Sequence, residues 1–304
     1  MRRALVLCAI LFLTLPCVAR AETGLEALGL TVETAFVDPA EDSPRIERPT
    51  GALPDGRPAV GTNDIAQVWL IAPTDRYDHG VLGDAIEAGG LRALLRDGTS
   101  ADFLLDTDSV FEDLRPRLAD LDDDGRDEII VVRSYLDAGA ALSVFGVRDG
   151  PLQLLAETAP IGRPHRWLNP VGAGDFDGDG RQEIAYVETP HIGGILRIVA
   201  LEGGRLVEKG VRRGVSNHAI GSRALQLAAV LDFDGDGADD ILIPTQGRKS
   251  LSIISFAGGT FRELASIAAP DSLNADFVVG DLDGNGRVDV SIPLDAGRAM
   301  QLKR

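Results

Sequence analysis

The sequence predicts an all-β fold built from repeated four-stranded antiparallel units, which is the architecture of a β-propeller. Glycine is frequent, at 35 of 304 residues. Short runs rich in β-branched residues alternate with turn residues, as expected for strands. One acidic loop pattern recurs four times, every 49 to 57 residues, and this interval is close to the length of one propeller blade.

The composition excludes two broad classes of protein. The formal net charge is −17, with 30 basic and 47 acidic residues, so the chain lacks the basic surface that a nucleic-acid-binding protein needs. Hydrophobic residues make up 44% and charged residues 25%, a balance that is typical of folded rather than disordered chains.

The first 21 residues have the pattern of a secretory signal peptide. Arg2 and Arg3 precede an apolar run over residues 4–15, and residues 19–21 read Ala-Arg-Ala, a small-residue cleavage pattern. No later segment is apolar over the 18 residues that a membrane span requires. We therefore expect an exported protein, periplasmic or secreted, with no transmembrane segment after signal cleavage.

Both cysteines, Cys8 and Cys17, lie inside this segment. The processed chain is thus expected to contain no disulfide, although exported proteins often depend on them. An alternative is that Cys17 is the acylated cysteine of a lipoprotein. Pro16 occupies the position where that processing needs a small residue, which argues against this alternative.

Each acidic loop reads D-x-D-x-[DN]-G-x-x-[DE], a pattern suited to a cation with oxygen ligands. Carboxylates at positions 1, 3 and 5 can converge because the glycine at position 6 permits a sharp turn, and the acid at position 9 can complete the ligand set. An oxygen-only site favours Ca²⁺ over transition metals. The predicted ligands are Asp120, Asp122, Asp124 and Glu128; Asp175, Asp177, Asp179 and Glu183; Asp232, Asp234, Asp236 and Asp240; and Asp281, Asp283, Asn285 and Asp289.

A helical EF-hand begins with a similar pattern but ends with a bidentate glutamate at position 12. Here position 12 is Val131, Tyr186, Ile243 or Ile292. The residues after each loop are short β-branched runs, which indicate strands. We therefore expect each loop to join the first and second strands of a unit.

The loops and the strand that follows them resemble the FG-GAP/VCBS repeat family, which includes the β-propellers of integrin α-subunits. The resemblance covers about residues 110–304, and it implies that the four loops bind up to four Ca²⁺ ions. Asn285 replaces an aspartate at position 5, so the fourth site is expected to be the weakest. Residues 50–109 match only in shape, with Val68–Thr74 as a second strand and Gly89-Gly90 as the turn between strands three and four.

Five blades account for residues 22–304 as one domain. The last unit lacks a fourth strand, which Leu30–Val37 could supply to close the ring. Six blades remain an alternative if residues 22–60 contribute more. The expected blades are about 50–100, 101–156, 157–210, 211–267 and 268–304, the last closed by about 30–37.

The face opposite the acidic loops is predicted to carry a ligand site. The segments that enter first strands and leave second strands hold all four histidines and several arginines, and they would surround the mouth of a central channel. The same side chains could instead satisfy backbone groups in tight turns, and both interpretations stay open. The candidate ligand-binding residues are His79, Arg115, Arg117, Arg166, Asn169, His191, His218 and Arg223.

Three functional classes are compatible with these features. The first is a monomeric binding module of the cell envelope, whose partner is an anionic or hydroxylated group on a glycan or on an envelope protein. The second is a lyase or hydrolase acting on an acidic polysaccharide, and the third is a purely structural protein. No recognisable catalytic motif is present, so the sequence favours a protein that is not an enzyme.

Overall fold

A computed structural model describes residues 24–36 and 49–304. The predicted signal peptide, both cysteines and Val37 lie outside the described residues. Within them the chain forms 21 β-strands and two single-turn 3-10 helices, Ala257–Gly259 and Asp295–Gly297. The prediction of an all-β chain is confirmed. No helix in these two ranges has the length and apolar character needed to cross a membrane.

The strands form five antiparallel four-stranded units, numbered here along the chain. Strand β1 (Thr31–Phe36) belongs to the last of them. Unit 1 contains β2 (Ala59–Val60), β3 (Ile65–Thr74), β4 (Glu87–Leu95) and β5 (Ser100–Leu104), and β6 (Ser109–Phe111) follows it. Unit 2 contains β7 (Arg117–Ala119), β8 (Glu128–Tyr135), β9 (Gly139–Val147) and β10 (Leu152–Glu157). Unit 3 contains β11 (Leu168–Gly174), β12 (Glu183–Glu188), β13 (Ile195–Glu202) and β14 (Arg205–Arg213). Unit 4 contains β15 (Ala229–Leu231), β16 (Asp240–Pro244), β17 (Ser250–Ser255) and β18 (Arg262–Ala268). Unit 5 contains β19 (Val278–Gly280), β20 (Asp289–Pro293) and β21 (Arg298–Lys303).

Units 1 and 2 are joined into one nine-stranded sheet, which the repeat pattern did not indicate. Strand β6 pairs with β4 through Ala88 and Phe111, and with β8 through Val110 and Ser134. The side chain of Phe111 is fully buried and packs edge-on against Phe145 of β9, with ring centroids 5.5 Å apart. Burial of aromatic side chains of this size stabilises the junction between the two units.

The pair Gly89-Gly90 lies inside β4, so the prediction of a turn there is wrong. The β4–β5 turn instead contains Asp97 and Gly98. A Cβ atom on Gly90 would lie 2.7 Å from Cδ2 of Leu104 and 3.0 Å from Cγ1 of Ile71. This glycine therefore permits close packing across the sheet and does not reverse the chain.

Neighbouring units contact one another through the segments that precede or begin their first strands. A contact also joins unit 5 to unit 1. From unit 1 onward, the contacts are Arg57 N to Leu114 O at 2.7 Å, Trp167 Nε1 to Glu112 O at 2.9 Å, Asn169 Nδ2 to Leu225 O at 2.9 Å, Phe277 N to Gln226 O at 2.8 Å, and Arg57 Nη1 to Asp276 Oδ2 at 3.1 Å.

The N-terminal strand completes the C-terminal unit. All six residues of β1 pair antiparallel with β21, from Thr31 opposite Lys303 to Phe36 opposite Arg298. Leu25 and Leu30, which precede this strand, are buried in a core shared with Leu302. A long-range pairing therefore covers an edge that β21 would otherwise expose.

Candidate functional site

The four acidic loops join the first and second strands of units 2 to 5. We call them the first (120–128), second (175–183), third (232–240) and fourth (281–289) acidic loops. In each, the aspartate at position 1 accepts the N–H of the glycine at position 6, at 2.9 to 3.1 Å. That glycine has φ between 78° and 94°, a conformation that other residues adopt at a cost. The turn is therefore held by interactions between residues of the loop itself.

The acid at position 9 begins the second strand and is buried. One of its oxygens accepts the N–H of position 2, at 2.8 to 3.2 Å in the four loops. Burial raises the pKa of Glu183 and of Asp240 to about 7, and the neighbouring Asp177 and Asp234 add to the respective shifts. Burial also raises the pKa of Glu128. Charged groups at these positions are costly unless a cation compensates them.

Three carboxylates converge in every loop. One oxygen atom from each of positions 1, 3 and 9 lies within 4.8 Å of the others. The groups are Asp120, Asp122 and Glu128; Asp175, Asp177 and Glu183; Asp232, Asp234 and Asp240; and Asp281, Asp283 and Asp289. The aspartates at position 5 of the first three loops are not part of these groups. In each loop Oδ1 of the residue at position 5 accepts the N–H of position 7, and these residues are Asp124, Asp179, Asp236 and Asn285.

The residues of these loops fit a hard divalent cation. All donors are oxygens, as Ca²⁺ prefers. Oδ1 of Asp240 and Oδ1 of Asp289 are buried and have no hydrogen-bond partner among the described residues. A buried carboxylate oxygen without a partner is unfavourable, and a cation at the focus of the loop would supply that partner.

Three of the loops also have a basic side chain nearby, from the third or fourth strand region of the same unit. Arg148 Nη2 lies 2.5 Å from Glu128 Oε1. Lys209 Nζ lies 3.9 Å from Asp177 Oδ2, and Arg262 Nη2 lies 3.7 Å from Asp234 Oδ2. The separations differ, so the basic groups do not contact the three loops equally.

Two aspartates at position 8, which the loop pattern leaves unspecified, link neighbouring units. Asp127 Oδ2 accepts the N–H of Asn63 at 2.9 Å, and Asp239 Oδ2 accepts the N–H of Asp175 at 3.1 Å. An acid at position 8 occurs only in the first and third loops. The presence of an acid at position 8 in only these two loops is the sequence feature that could have indicated the contacts between units.

At the opposite end of the first strands, four arginines are among the residues that line a cavity of about 20 Å³. The lining residues are Arg57, Leu114, Arg115, Arg117, Arg223, Leu225, Gln226 and Asp276. The structure thus brings together three of the predicted arginines and adds Arg57. The cavity has room for about one water-sized group.

Three of the four arginines in this arginine cluster are paired with carboxylates. Arg57 pairs with Asp276, Arg117 with Asp113, and Arg223 with both Asp55 and Asp84. The side chain of Arg115 forms no hydrogen bond within residues 24–36 and 49–304, whereas its backbone N–H donates to Oδ1 of Asp113 at 3.2 Å. Burial lowers the pKa of Arg115, and the nearby Arg117 and Arg57 add to the shift.

The four histidines also lie at this end of the units, where the structure arranges them as two pairs. In the first pair, the rings of His79 and His165 stack with centroids 5.1 Å apart. His79 Nδ1 lies 2.6 Å from Oε1 of Glu112, and Oε2 of Glu112 accepts the hydroxyl of Ser134 at 2.5 Å. The carboxylate of Glu112 therefore orients the imidazole of His79.

The second pair is His191 and His218. His218 Nε2 lies 2.9 Å from the carbonyl oxygen of Ser222, so this nitrogen carries the proton and Nδ1 accepts a hydrogen bond from His191 Nε2 at 2.8 Å. Burial lowers the pKa of His191 to about 4 and that of His218 to about 3. Both rings are neutral at pH 7, and the ring of Trp167 lies parallel to that of His191.

The remaining predicted ligand residues have different environments. Asn169 is fully buried and donates to the carbonyl oxygens of Asn217 and Leu225, so its amide group supports the backbone between units 3 and 4. Arg166 lies outside the arginine cluster and donates to the carbonyl oxygen of His165 at 3.2 Å.

Glu87 is a buried titratable group that no motif in the sequence marks. It lies at the start of β4, is 1% exposed, and its Oε2 has no partner among the residues that the structure describes. Burial, reinforced by the charge of Glu112, raises the pKa of Glu87 to about 9. This carboxyl group is therefore protonated at neutral pH.

Comparison with known proteins gives one family match. The family model described as "FG-GAP-like repeat" matches residues 120–186 and 232–291, two segments that contain all four acidic loops. The resemblance to FG-GAP/VCBS repeats is thereby confirmed. No curated protein matches the chain.

Several solved structures are similar to the chain at low identity. The exotype rhamnogalacturonan lyase YesX aligns with 89% of this chain and 51% of its own, at 18% identity and a TM-score of 0.47. The rhamnogalacturonan lyase PL11 of Bacillus licheniformis aligns with 82% of this chain and 50% of its own, at 16% identity and a TM-score of 0.44. The WD40 domain of Toxoplasma gondii coronin aligns with 77% of this chain and 55% of its own, at 12% identity and a TM-score of 0.38. This chain thus spans about half the length of the structures it matches.

Proposed function

The chain carries FG-GAP-like repeats, and from that premise we propose that it is an exported, calcium-binding, five-bladed β-propeller that acts as a monomeric binding module of the cell envelope. The five four-stranded units are its blades. The succession of contacts from unit 1 to unit 5 and back through Arg57 and Asp276 supports a closed ring. The pairing of β1 with β21 supports closure of the last blade.

The calcium ions have a structural role in this proposal. Twelve carboxylates converge in groups of three and repel one another without a cation. Ca²⁺ bound only by the folded chain stabilises it by mass action, by about 2.7 kcal/mol per site at a free concentration of one hundred times Kd. We expect chelation by EDTA to lower the melting temperature and added Ca²⁺ to restore it. Mg²⁺, which requires a smaller octahedral site, serves as the control. A melting temperature indifferent to EDTA would contradict the structural role.

Binding is assigned to the face opposite the acidic loops, and the arginine cluster is the observation that carries this proposal. Guanidinium groups match the geometry of carboxylate and other oxyanions, and Arg115 retains free donors. The proposed ligand is an anionic group of an acidic glycan, with the carboxylates of an envelope protein as the alternative source. His79, Arg166 and the His191–His218 pair would lie beside the bound ligand.

A glycan and peptide array, probed with and without Ca²⁺, tests this assignment. We expect binding to acidic glycans that is lost in Arg115→Gln and kept in Arg213→Gln. Arg213 is an exposed arginine of β14 that forms no ion pair within the described ranges, and it is therefore a matched control. Equal binding by both variants would show that the arginine cluster is not part of the ligand site. Exclusive binding to acidic peptides would favour an envelope protein as partner.

A second candidate function is a lyase or hydrolase acting on an acidic polysaccharide. The contact between His79 and Glu112 favours it, because a carboxylate that holds Nδ1–H leaves Nε2 free to accept a proton as a general base. Incubation with acidic polysaccharides tests this function, read as new reducing ends or as absorbance of an unsaturated product. We expect His79→Ala to abolish such activity and His165→Ala to retain most of it. If the wild type turns over none of these polymers, the enzymatic function is rejected and only the function as a binding module remains.

Export is proposed from the N-terminal pattern. We expect the protein in the periplasmic or secreted fraction and, after deletion of residues 1–21, in the cytoplasm. An unchanged distribution would show that these residues are not the export signal.

A further inference from the structure

We propose that the first acidic loop is closed by the side chain of Arg148 and not by a calcium ion, so that the chain binds three Ca²⁺ ions, in the second, third and fourth loops. This inference rests on the proposed calcium binding. It departs from the resemblance, which implies that each of the four loops binds Ca²⁺. The difference comes from one residue outside the loop pattern.

Arg148 reaches the focus of the first loop. Its Nη2 atom lies 2.5 Å from Glu128 Oε1, and 3.6 Å from both Asp122 Oδ2 and Asp124 Oδ2. The side chain of Arg148 is 17% exposed and that of Glu128 is fully buried. The guanidinium therefore contacts the position-9 acid and lies near the carboxylates of positions 3 and 5.

The position-9 acids show the difference between the loops. Oε2 of Glu128 accepts the N–H of Leu121, and Oε1 accepts a hydrogen bond from Nη2 of Arg148. Both oxygens therefore have a hydrogen-bond partner. In the third and fourth loops the corresponding second oxygen, Oδ1 of Asp240 or of Asp289, is buried and lacks a hydrogen-bond partner in the described part of the chain. In those two loops a cation is needed to satisfy the free oxygen. In the first loop the guanidinium of Arg148 already does so.

Basic residues beside the other loops stay at the rim. Lys209 Nζ is 3.2 Å from Glu202 Oε1 but 3.9 Å from Asp177 Oδ2, so it lies closer to Glu202 than to the loop. Arg262 Nη2 is 3.7 Å from Asp234 and from Asp236. Neither forms an ion pair with the position-9 acid of its loop in the described structure. These side chains therefore leave the buried acid free for Ca²⁺.

A calcium ion in the first loop would have to displace this contact. An arginine and a carboxylate that are hydrogen-bonded and shielded from water are costly to separate. If the guanidinium stayed, it would repel a divalent cation a few ångströms away. Both effects weaken Ca²⁺ binding at this loop relative to the others.

The position of Arg148 in its unit is specific. Arg148 directly precedes the two-residue turn formed by Asp149 and Gly150, and it pairs with the residue that follows this turn. The register of β13 with β14 and of β17 with β18 places Glu202 and Ala257 at the equivalent positions of units 3 and 4. Neither a glutamate nor an alanine carries a positive charge, so the second and third loops have no counterpart of Arg148 at this position.

The experiment counts bound calcium by native mass spectrometry and elemental analysis, on protein purified in Ca²⁺ and exchanged into volatile buffer. We expect three ions on the wild type and four on Arg148→Gln. The matched control Arg262→Gln, which removes a rim arginine, is expected to keep three. Four ions on the wild type, or three on a folded Arg148→Gln variant, would overturn the inference.

A second variant keeps the test decisive if Arg148→Gln does not fold. Glu202→Arg places a guanidinium at the equivalent position beside the second loop, and we expect it to reduce the count from three ions to two. An unchanged count on folded Glu202→Arg, with Arg148→Gln unfolded, would overturn the inference. A wild type that binds no Ca²⁺ would overturn the proposed function as well, whereas four ions would overturn only this inference.

Discussion

The Nδ1 atom of His79 lies 2.6 Å from Oε1 of Glu112, a carboxylate with no exposure to solvent. The two residues belong to different units, because His79 follows β3 and Glu112 precedes β7. A hydrogen bond that is shielded from water contributes more than an exposed one. This contact both fixes the orientation of the imidazole and joins units 1 and 2.

Loss of the imidazole should therefore destabilise the protein. His79→Ala leaves Oε1 of Glu112 buried without a partner, and we expect the free energy of unfolding to fall by about 1–3 kcal/mol. The control is His165→Ala, because His165 is half-exposed and its partner Asp78 is 87% exposed. It should change stability by less than about 1 kcal/mol. Urea unfolding of both variants measures the difference, and equal losses would contradict the importance of the buried contact.

The pair of His191 and His218 should make stability depend on pH. Their folded-state pKa values, about 4 and about 3, lie below the ordinary value of 6.5, so the unfolded chain takes up protons first as the pH falls. The contribution is complete above pH 6.5 and is lost as the pH falls toward 4, at up to about 1.4 kcal/mol per pH unit for each ring.

Urea unfolding at pH 7, 6 and 5 measures this dependence. Because carboxyl groups titrate in the same range, the informative quantity is the difference between the wild type and His218→Gln. We expect a smaller loss of stability on acidification in the variant. Parallel pH profiles would show that the buried imidazoles do not protonate on unfolding.

The amide at position 5 of the fourth loop should limit its calcium affinity. Asn285 Oδ1 accepts the N–H of Arg287 at 2.7 Å, and an aspartate can accept the same bond. Asn285→Asp adds one negative charge near the cation, which should raise the affinity of this site about tenfold. Isothermal titration calorimetry with Ca²⁺ measures the weakest site. Asp179→Asn in the second loop is expected to have the opposite effect, and unchanged affinities in both would show that position 5 does not act on the ion.

The N-terminal strand should be needed for a stable fifth unit. Deletion of residues 1–36 removes β1 and the buried Leu25 and Leu30. Burial of two leucines contributes about 3–6 kcal/mol, and β21 would become an exposed edge. We expect a lower melting temperature and aggregation in size-exclusion chromatography. A chain that begins at residue 24 is the control, and equal behaviour of both deletions would show that β1 is dispensable.

The acidic loops could be predicted because their interactions are local. Asp120 accepts the N–H of Gly125, five residues away, and Glu128 accepts that of Leu121, seven residues away. Both bonds recur in all four loops, so the nine-residue pattern is sufficient to predict the turn. The side chain at position 5 also makes a local contact, because its Oδ1 accepts the N–H of position 7.

The opposite face could be predicted only in outline. Strand order places the four histidines and the arginines at one end of the units. It does not determine that His79 meets Glu112, that Asn169 supports the backbone between two units, or that Arg57 joins the arginine cluster. These contacts depend on the relative positions of neighbouring units, which follow from side-chain packing. Gly90 shows the same limit, since its role depends on Leu104 in the adjacent strand.

The sequence by itself determined the repeating all-β fold and the four acidic loops, because each depends on residues close together in the chain and on hydrogen bonds within a single turn. The tertiary structure decided which loop has an arginine beside its position-9 acid, which histidines are neutral, and which four arginines line one cavity. Charge and pKa depend on burial and on neighbours distant in sequence, and only the packed units bring those neighbours together.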